Sequence, residues 1–378
     1  MTSPPQTPAT PQRISRLAPL PDVQAAVDRL ALPVAARALD LVVAAGRVLA
    51  ADLVVAAPQP VAAVAVRDGW AVRADLVADA GPYAPIPVFP LWVDAGDPLP
   101  DDTDAVLPPD AVVTTRSAQE AIAPAFPGEG ALAVLDGGHG TALRRAGEFL
   151  RAIDIAALRA AGVARVGVRE PMVTIVSTNR QVSAAADAVA PLIAAALEAA
   201  GGRAHVMRAS VAAGALESAL LDGGADAVVT IGGTGQGRGD RAIAVASAHG
   251  EIAMHGMGIK PGDTAALASV GARPVLMLPG RLDAALAVWL LVGRRLLGCL
   301  TGDKGEEVPL TATLSRKIAS TIGLAEVVLV RRRGERAEPM DSAALAVPAM
   351  AQADGWVLVA PESEGYPAGA SVVVRALP

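Results

Sequence analysis

Residues Asp226-Ala-Val-Val-Thr-Ile231 run straight into Gly232-Gly-Thr-Gly-Gln-Gly-Arg-Gly-Asp240, and no other stretch limits the fold so tightly. The β-branched run predicts a buried strand, and the alanine-rich Arg241–Ala248 after the glycines predicts a helix. Strand, glycine turn and helix in that order set main-chain N–H groups and a helix N-terminus around an anion, most often a phosphate. Glycines at 232, 233, 235, 237 and 239 admit positive φ and let a ligand approach the backbone. The loop has neither the Gly-Lys-Ser/Thr ending of a Walker A sequence nor GxGxxG spacing. Asp240 stands where an N-cap or a cation-directed carboxylate would stand. Alone, the loop also fits a plain turn with a capped helix, so its neighbours must decide.

On either side of the loop, strands and helices alternate. Met172–Ser177, Arg203–Arg208 and Asp226–Ile231 read as strands, with helices at Val189–Ala200 and Ala213–Leu221. Strands around Glu251–Gly256 and Pro274–Leu278 and a helix at Asp283–Leu297 complete the segment. That alternation predicts a three-layer α/β domain with a mainly parallel sheet. Before it, Val23–Ala45 has helical periodicity, interrupted near Pro33 by the start of a second short helix. Arg47–Ala57 reads as strand, and Ala62 to about Arg145 as short strands between Pro and Gly turns. Phe149–Gly162 reads as helix and Val166–Val168 as a short strand. After Gly302-Asp-Lys-Gly305 come short strands (Glu326–Arg331, Gly355–Ala360, Ser371–Arg375), which predict a small β-barrel or sandwich. The first 20 residues, rich in Pro, Thr and Ser without an apolar core, read as a disordered tail and not a signal peptide.

At 378 residues the chain is long enough for two to four domains. Its content is 52% hydrophobic but only 2% aromatic, so few side chains can stack on nucleotides. With 32 basic against 38 acidic residues the net charge is −6, which gives no footprint for nucleic acid. A phosphate would have to be held by local amides and a few placed cations. Cys299 is the only cysteine, so a disulfide framework and a multi-cysteine zinc site are excluded, in keeping with a cytoplasmic location. The four histidines show no ligand spacing and read as surface or strand-end residues. The longest apolar run, Ala284–Val292, is too short to cross a bilayer, so a soluble protein is expected.

Seven segments in one collinear order, the glycine loop among them, resemble the MoeA/gephyrin E-domain family, the molybdopterin molybdenumtransferases. Arg67-Asp-Gly-Trp-Ala-Val72 resembles the family's M-D-G-Y-A-[VL], with Trp70 for tyrosine at what reads as a domain junction. Ala95-Gly-Asp-Pro-Leu-Pro100 with Thr103-Asp-Ala-Val106 is similar to AGxPLPxGxDAVV, and Arg144-Arg-Ala-Gly-Glu148 to R-x-x-G-E-D. Val176-Ser-Thr178 matches the start of S-T-G-D-E-L, and the glycine loop resembles G-G-[VT]-S-x-G-x-x-D. Ile259-Lys-Pro-Gly262 resembles K-P-G-K-P, and Leu278-Pro-Gly280 resembles L-P-G-N-P. The resemblance covers nearly the whole chain from about residue 20.

It implies a multidomain α/β architecture. Residues 21–71 and 144–170 would form a helical/β first domain, 72–143 an inserted β-rich lid, 171–302 a MogA-like three-layer α/β domain and 306–378 a C-terminal β-barrel. It implies a homodimer that inserts molybdate into adenylylated molybdopterin with release of AMP, using Mg2+, and a MogA-type protein or molybdoenzymes as partners. Molybdopterin and molybdate would be the substrates. The residues carried over are Asp68, Asp240 and Lys260 as catalytic groups, with Asp68 and Asp240 also directed at metal. Ser177, Thr178, Gly232, Gly233, Thr234, Gly235, Gly237, Pro261, Gly262, Pro279, Gly280 and Arg281 would bind the pterin phosphate.

The chain also departs from the family's pattern. S-T-G-D-E-L becomes Ser177-Thr-Asn-Arg-Gln-Val182, so Arg180 and Gln181 replace two acids and a cation site there is weakened. Asp263 replaces the second lysine of K-P-G-K-P, and Arg281-Leu282 replaces Asn-Pro. Arg180, Arg238 and Arg281 together favour holding an anion over metal-assisted cleavage. The alternative is therefore a non-catalytic paralogue that carries or senses molybdopterin. A scaffold that uses the fold alone is the least favoured reading, because the glycine loop persists.

Overall fold

A computed structural model describes residues 12–54, 62–116, 118–132, 142–178, 184–208, 214–237, 239–303, 310–340 and 347–378. The chain divides into two compact units, one built from Met1–Ala51, Ala146–Arg159 and Val163–Pro378, the other from Asp52–Arg145 with Ala160–Gly162.

In the first unit, residues 12–19 depart from the expected disordered tail and lie along the α/β domain. Ala18 donates its N–H to Gly256 O at 3.0 Å and accepts from Gly258 N at 2.7 Å. Gly256 permits this approach: at φ +97° a Cβ there would sit 2.5 Å from Ile14 Cγ2. The expected tail's residues 1–11 lie outside the described residues. Helix α1 (Leu20–Leu30) carries Pro21 in its first turn, where proline is tolerated, and buries Leu20, Val23, Ala26 and Val27 along one stripe. The second helix expected near Pro33 is replaced by strand Arg37–Asp40, which pairs antiparallel with Arg165–Arg169. Pro33 blocks the helical hydrogen bond, and only a 3-10 turn, Leu41–Val43, follows the strand.

The α/β domain contains β1 (Met172–Ser177), helix α2 (Val189–Ala199), β2 (Arg203–Arg208), α3 (Ala215–Leu221), β3 (Ala227–Ile231) and α4 (Ala242–His249). It continues with β4 (Glu251–His255), β5 (Ile259–Lys260), β6 (Ala266–Val270), β7 (Arg273–Leu278) and helix α5, continuous over Leu282–Thr301. Its sheet runs β2-β1-β3-β7-β6-β4, with the first four strands parallel, β6 antiparallel to β7, and β4 antiparallel to β6. Strand β6 is the element that sequence patterning misses: Ala-Leu-Ala-Ser-Val has no distinctive period, and the tight turn at Gly271 (φ +61°) is what folds it back onto β7. Strand β3 is buried on both faces, as a central parallel strand requires. Its alternate side chains divide between two cores. Ala227, Val229 and Ile231 pack towards α1, α2, α5 and barrel residues. Val228 packs with Ala219 and Leu220 of α3 and Ala242 and Ala246 of α4. Helix α5 is long and apolar enough to cross a membrane, unlike the shorter run read from the sequence, but 78% of that window is buried inside this unit. It is a core helix around Trp289, which is 2% exposed.

The C-terminal strands β8 (Leu310–Leu314), β9 (Ala325–Arg333), β10 (Arg336–Pro339), β11 (Gly355–Val359) and β12 (Ser371–Ala376) close into a five-stranded barrel, because β9 pairs with both β10 and β11. Strand β5 of the α/β domain adds in parallel to β9. Closure leaves few free edges, and the alternating valines of β9, β11 and β12 fill the interior.

The second unit is built mainly from short strands, as its Pro and Gly punctuation predicts. Gly69–Val72 lies between Leu91–Val93 and Ala105–Leu107. Gln119–Ala121 lies between Ile86–Val88 and Val112–Thr114. Val77, Leu107 and Ala121 are among its fully buried residues. Trp70 stacks edge-on against Trp92 at 5.0 Å within this unit's own sheet.

Burial, with an added hydrogen bond to Asp28, pushes the Cys299 thiol up to about 11. The reactive thiolate is then a small minority near neutral pH. Iodoacetamide should label native Cys299 roughly a hundredfold more slowly at pH 8 than the urea-unfolded chain, with the native rate climbing through pH 10 to 11. Mass spectrometry of timed quenches measures both rates.

Candidate functional site

Three parallel strands end in register: Ser177 is level with Ile231, and Ile231 with Leu278. Each strand then turns out of the sheet, so Ser177-Thr178, the glycine loop and Pro279-Gly280-Arg281 emerge side by side. A crevice outside the carboxyl ends of parallel strands is where α/β sheets hold their ligands. Hydrogen bonds tie the three turns together. Thr178 donates to Ile231 O from its amide (2.8 Å) and its hydroxyl (3.0 Å), and Gly232 N donates to Leu278 O at 2.9 Å.

The glycines have reasons of their own. Gly232 and Gly233 take positive φ, +90° and +72°. A Cβ at Gly233 would meet Ala242 Cβ at 3.1 Å and Thr178 Oγ1 at 3.2 Å, so helix α4 can start only against a bare backbone. At Gly235 and Gly237 a Cβ would come within 2.7 and 2.9 Å of Asp240 Oδ2. That carboxylate accepts from Gly237 N at 2.8 Å. The loop therefore folds over its own acid. Asp240 does not act as the N-cap of α4, because that position is Arg241, which makes no side-chain cap.

Thr234 turns inward. It is 1% exposed, and its hydroxyl lies 3.3 Å from Thr264 Oγ1. His255 Nε2 lies 2.9 Å from Thr234 O. Gln12 reaches the same loop. Its carboxamide nitrogen donates to Gly233 O (3.1 Å) and Gly235 O (2.9 Å), and its oxygen accepts from Ile243 N (2.9 Å) and Ala244 N (3.3 Å). Gln12, His255 and Thr264 escaped sequence reasoning: each is distant in sequence from the loop and sits in no recognisable motif. The hydroxyl four residues after Lys260 was the only local hint.

Of the cations expected at the site, the two among the described residues, Lys260 and Arg281, are partnered. Lys260 lies 3.4 Å from the buried Glu326 of β9, which also accepts from Ser320 Oγ at 2.6 Å. The pair sits where β5 adds to the barrel, at the register Lys260↔Glu326. Arg281 holds Asp283 in a two-pronged contact, Nε to Oδ1 at 3.1 Å, and the same carboxylate caps Ala284 N at 2.8 Å. Pro261 follows in a cis peptide. Gly262, at φ +136°, has Val288 Cγ2 within 2.5 Å of where its Cβ would be, so it fits flush against α5.

Asp68 belongs to the second unit and accepts from Ala95 N at 2.8 Å. Asp104 and Asp97 do likewise for Ala74 N and Asp94 N. The Mg2+ implied by the resemblance takes about six oxygen ligands. Asp240 is committed to Gly237 N, Asp68 to Ala95 N, and no three His, Cys, Asp or Glu side chains gather among the described residues. Among the described residues, no donor set that fits a divalent ion is gathered. Arg180, Gln181 and Arg238 lie outside the described residues. A cavity of about 940 Å3 lined by Asp28, Trp289, Arg295, Cys299, Trp356 and Arg375 shares no residue with the crevice.

Gly235→Ala should cost the Asp240–Gly237 hydrogen bond, about 1–2 kcal/mol. In an Asp240→Ala background the same substitution should cost less than about 0.5 kcal/mol, because the clash is gone. Urea unfolding of the four proteins measures the coupling, and additive effects would refute the crowding.

Three family models match the chain in one collinear order. The MoeA N-terminal region (domain I and II) covers residues 18–162, a "probable molybdopterin binding domain" covers 173–298, and the MoeA C-terminal region (domain IV) covers 311–377. The fold is that of two structures of the molybdopterin biosynthesis MoeA protein from Pyrococcus horikoshii. One is 24% identical with TM-score 0.74 and the other 21% with TM-score 0.75, over 96% of this chain and 99% and 100% of theirs. A molybdenum cofactor biosynthesis protein from Pyrococcus furiosus, 20% identical over 96% of this chain and all of its own, gives a TM-score of 0.63. A protein of Methanocaldococcus jannaschii whose name assigns it to molybdopterin biosynthesis is 26% identical over 164 residues, 43% of this chain and 39% of its own length. With the glycine loop, the parallel-strand crevice and the barrel in the places those three regions require, the chain belongs to the MoeA family of molybdenum cofactor biosynthesis proteins.

Proposed function

We propose that this chain binds molybdopterin in the crevice at Ser177, Gly232–Gly237 and Gly280, and that it inserts molybdate into the adenylylated form with release of AMP. One observation carries the proposal: three turns converge beyond the carboxyl ends of parallel strands inside the region matched by the molybdopterin-binding model. Molybdopterin and molybdate are the substrates. On this reading the protein works in the cytoplasm as a homodimer and exchanges its cargo with a MogA-type protein or with molybdoenzymes. Asp68, Asp240 and Lys260 remain the proposed catalytic groups. A ligand at Asp240 and Lys260 would have to compete with Gly237 N and Glu326, and one at Asp68 with Ala95 N.

That competition favours a second reading, a carrier or regulator that holds molybdopterin without transforming it. Arg180 and Gln181 in place of two acids point the same way. Purified protein mixed with adenylylated molybdopterin, Mg2+ and molybdate separates the two. AMP above a protein-free blank, followed by chromatography, is the expected result for a transferase. No AMP while a motif-complete family member releases it in parallel removes that activity, and retained molybdopterin binding then leaves the carrier.

A further inference from the structure

Helix α4 begins without a cap of its own. Arg241 at the N-cap position offers no side-chain acceptor, and the nearby Asp240 carboxylate is turned back to Gly237 N. The amides that a cap would satisfy, Ile243 and Ala244, are met from a point some 230 residues away in sequence by the carboxamide oxygen of Gln12. The same side chain spends its nitrogen on Gly233 O and Gly235 O, two carbonyls of the glycine loop. A carboxamide is the side-chain group that offers an acceptor to the helix and two donors to the loop at once. Aspartate would cap the helix but offer the two carbonyls no donor, and serine has one hydroxyl proton for the two.

Gln12 is also held in place independently of these four bonds. Ile14 and Arg16 lie against Gly256, where any Cβ would collide with Ile14 Cγ2 at 2.5 Å and Arg16 O at 2.8 Å. Ala18 is hydrogen-bonded to both Gly256 and Gly258. His255, the residue before Gly256, contacts Thr234 O in the middle of the loop. The segment 12–18 therefore shares one support, Gly256–Gly258, with the strand end that touches the loop from its other side.

We propose that Gln12 is a positioning residue for the molybdopterin crevice: it clamps the glycine loop to the first turn of α4 and so fixes the backbone that the ligand meets. The proposal rests on the functional reading above, because it concerns the same crevice. Without the clamp, Gly233 O and Gly235 O lose Gln12 as donor and Ile243 N and Ala244 N lose it as acceptor, which leaves the Ala242 N–Gly233 O bond at 3.1 Å as the described tie between loop and helix, and the contacts of Thr234 with His255 and Thr264 on the loop's other side. The loop would then sample conformations in which its carbonyls point away, and ligand binding would bear the cost of reordering it.

The test uses full-length protein with Gln12→Ala and Gln12→Glu, read by amide hydrogen exchange and by equilibrium binding of molybdopterin. In Gln12→Ala, exchange at Ile243 and Ala244 should speed up and molybdopterin affinity should fall roughly tenfold, with cooperative urea unfolding retained. Gln12→Glu keeps an acceptor for the helix but loses both donors to the loop, so it should bind weakly as well. Wild-type affinity in either variant overturns the proposal, even where exchange is faster. Tighter binding by Gln12→Ala overturns it too, since the side chain would then be occupying a ligand's place. If the wild-type protein itself fails to bind molybdopterin, the functional reading fails, and unchanged exchange at Ile243 and Ala244 is then the result that overturns the clamp.

Discussion

The crevice depends on the register in which β1, β3 and β7 stop. Those strands are buried on both faces, so each must satisfy its backbone groups in the ladder and its side chains in two cores at once. A slip of one residue would exchange Val229 and Ile231 for Val228 and Thr230 on the face packed against α1, α2 and α5. Register is thereby set by packing, and packing places Ser177, Ile231 and Leu278 level with one another. Three segments separated by about fifty residues in sequence arrive at one edge because their strands have no other way to be buried.

Much of this is legible before any coordinates. The strand Met172–Ser177 and the helix that begins at Val189 stand out because apolar runs of contrasting length are separated by polar or glycine breaks. The barrel is legible from its valine alternation, though β8 and β10 are not, since Leu-Thr-Ala-Thr-Leu and Arg-Ala-Glu-Pro are short and carry turn-like composition. Strand Arg37–Asp40 escapes for the opposite reason: Arg-Ala-Leu-Asp has good helix propensity, and only its partner Arg165–Arg169 makes it a strand. The order of the motifs identified the family. What sequence could not supply is the identity of each motif residue's partner. Gln12, Thr264 and His255 are joined to the loop by the path of the chain in space, which no local pattern encodes.

The charges at the site illustrate the same limit. A lysine before Pro-Gly and an arginine after Pro-Gly both read as free cations aimed at a phosphate. Glu326 lies on the barrel strand beside Lys260, and Asp283 opens the helix two residues after Arg281. These two pairs are not alike. Glu326 is buried, so removing Lys260 would leave a desolvated carboxylate with Ser320 as its remaining described partner. Arg281 is largely exposed, and its attraction for Asp283 is screened by water, so an incoming anion could share it at small cost. Of the two cations, Arg281 is the one whose charge remains available to a ligand.

Glycine-rich loops are commonly explained by what they let in. Here the first two glycines fit that account, since Gly232 and Gly233 turn the chain through positive φ where a side chain would be strained. Gly235 and Gly237 answer to something inside the protein, the Asp240 carboxylate folded beneath them. An acid held by loop amides lends negative charge to the very backbone that is meant to receive an anion, and it takes up one of the donors. The loop's affinity for phosphate therefore cannot come from Gly237 N, and Gly232 N is equally committed to Leu278 O. Among the described residues, an anion held here would draw on other amides of the loop and on the exposed guanidinium of Arg281. The amides that remain are useful only if the backbone around them is held still. A loop with so few side chains of its own must borrow that stiffness from neighbours, and Thr178, Thr264, His255 and Gln12 are the residues that lend it.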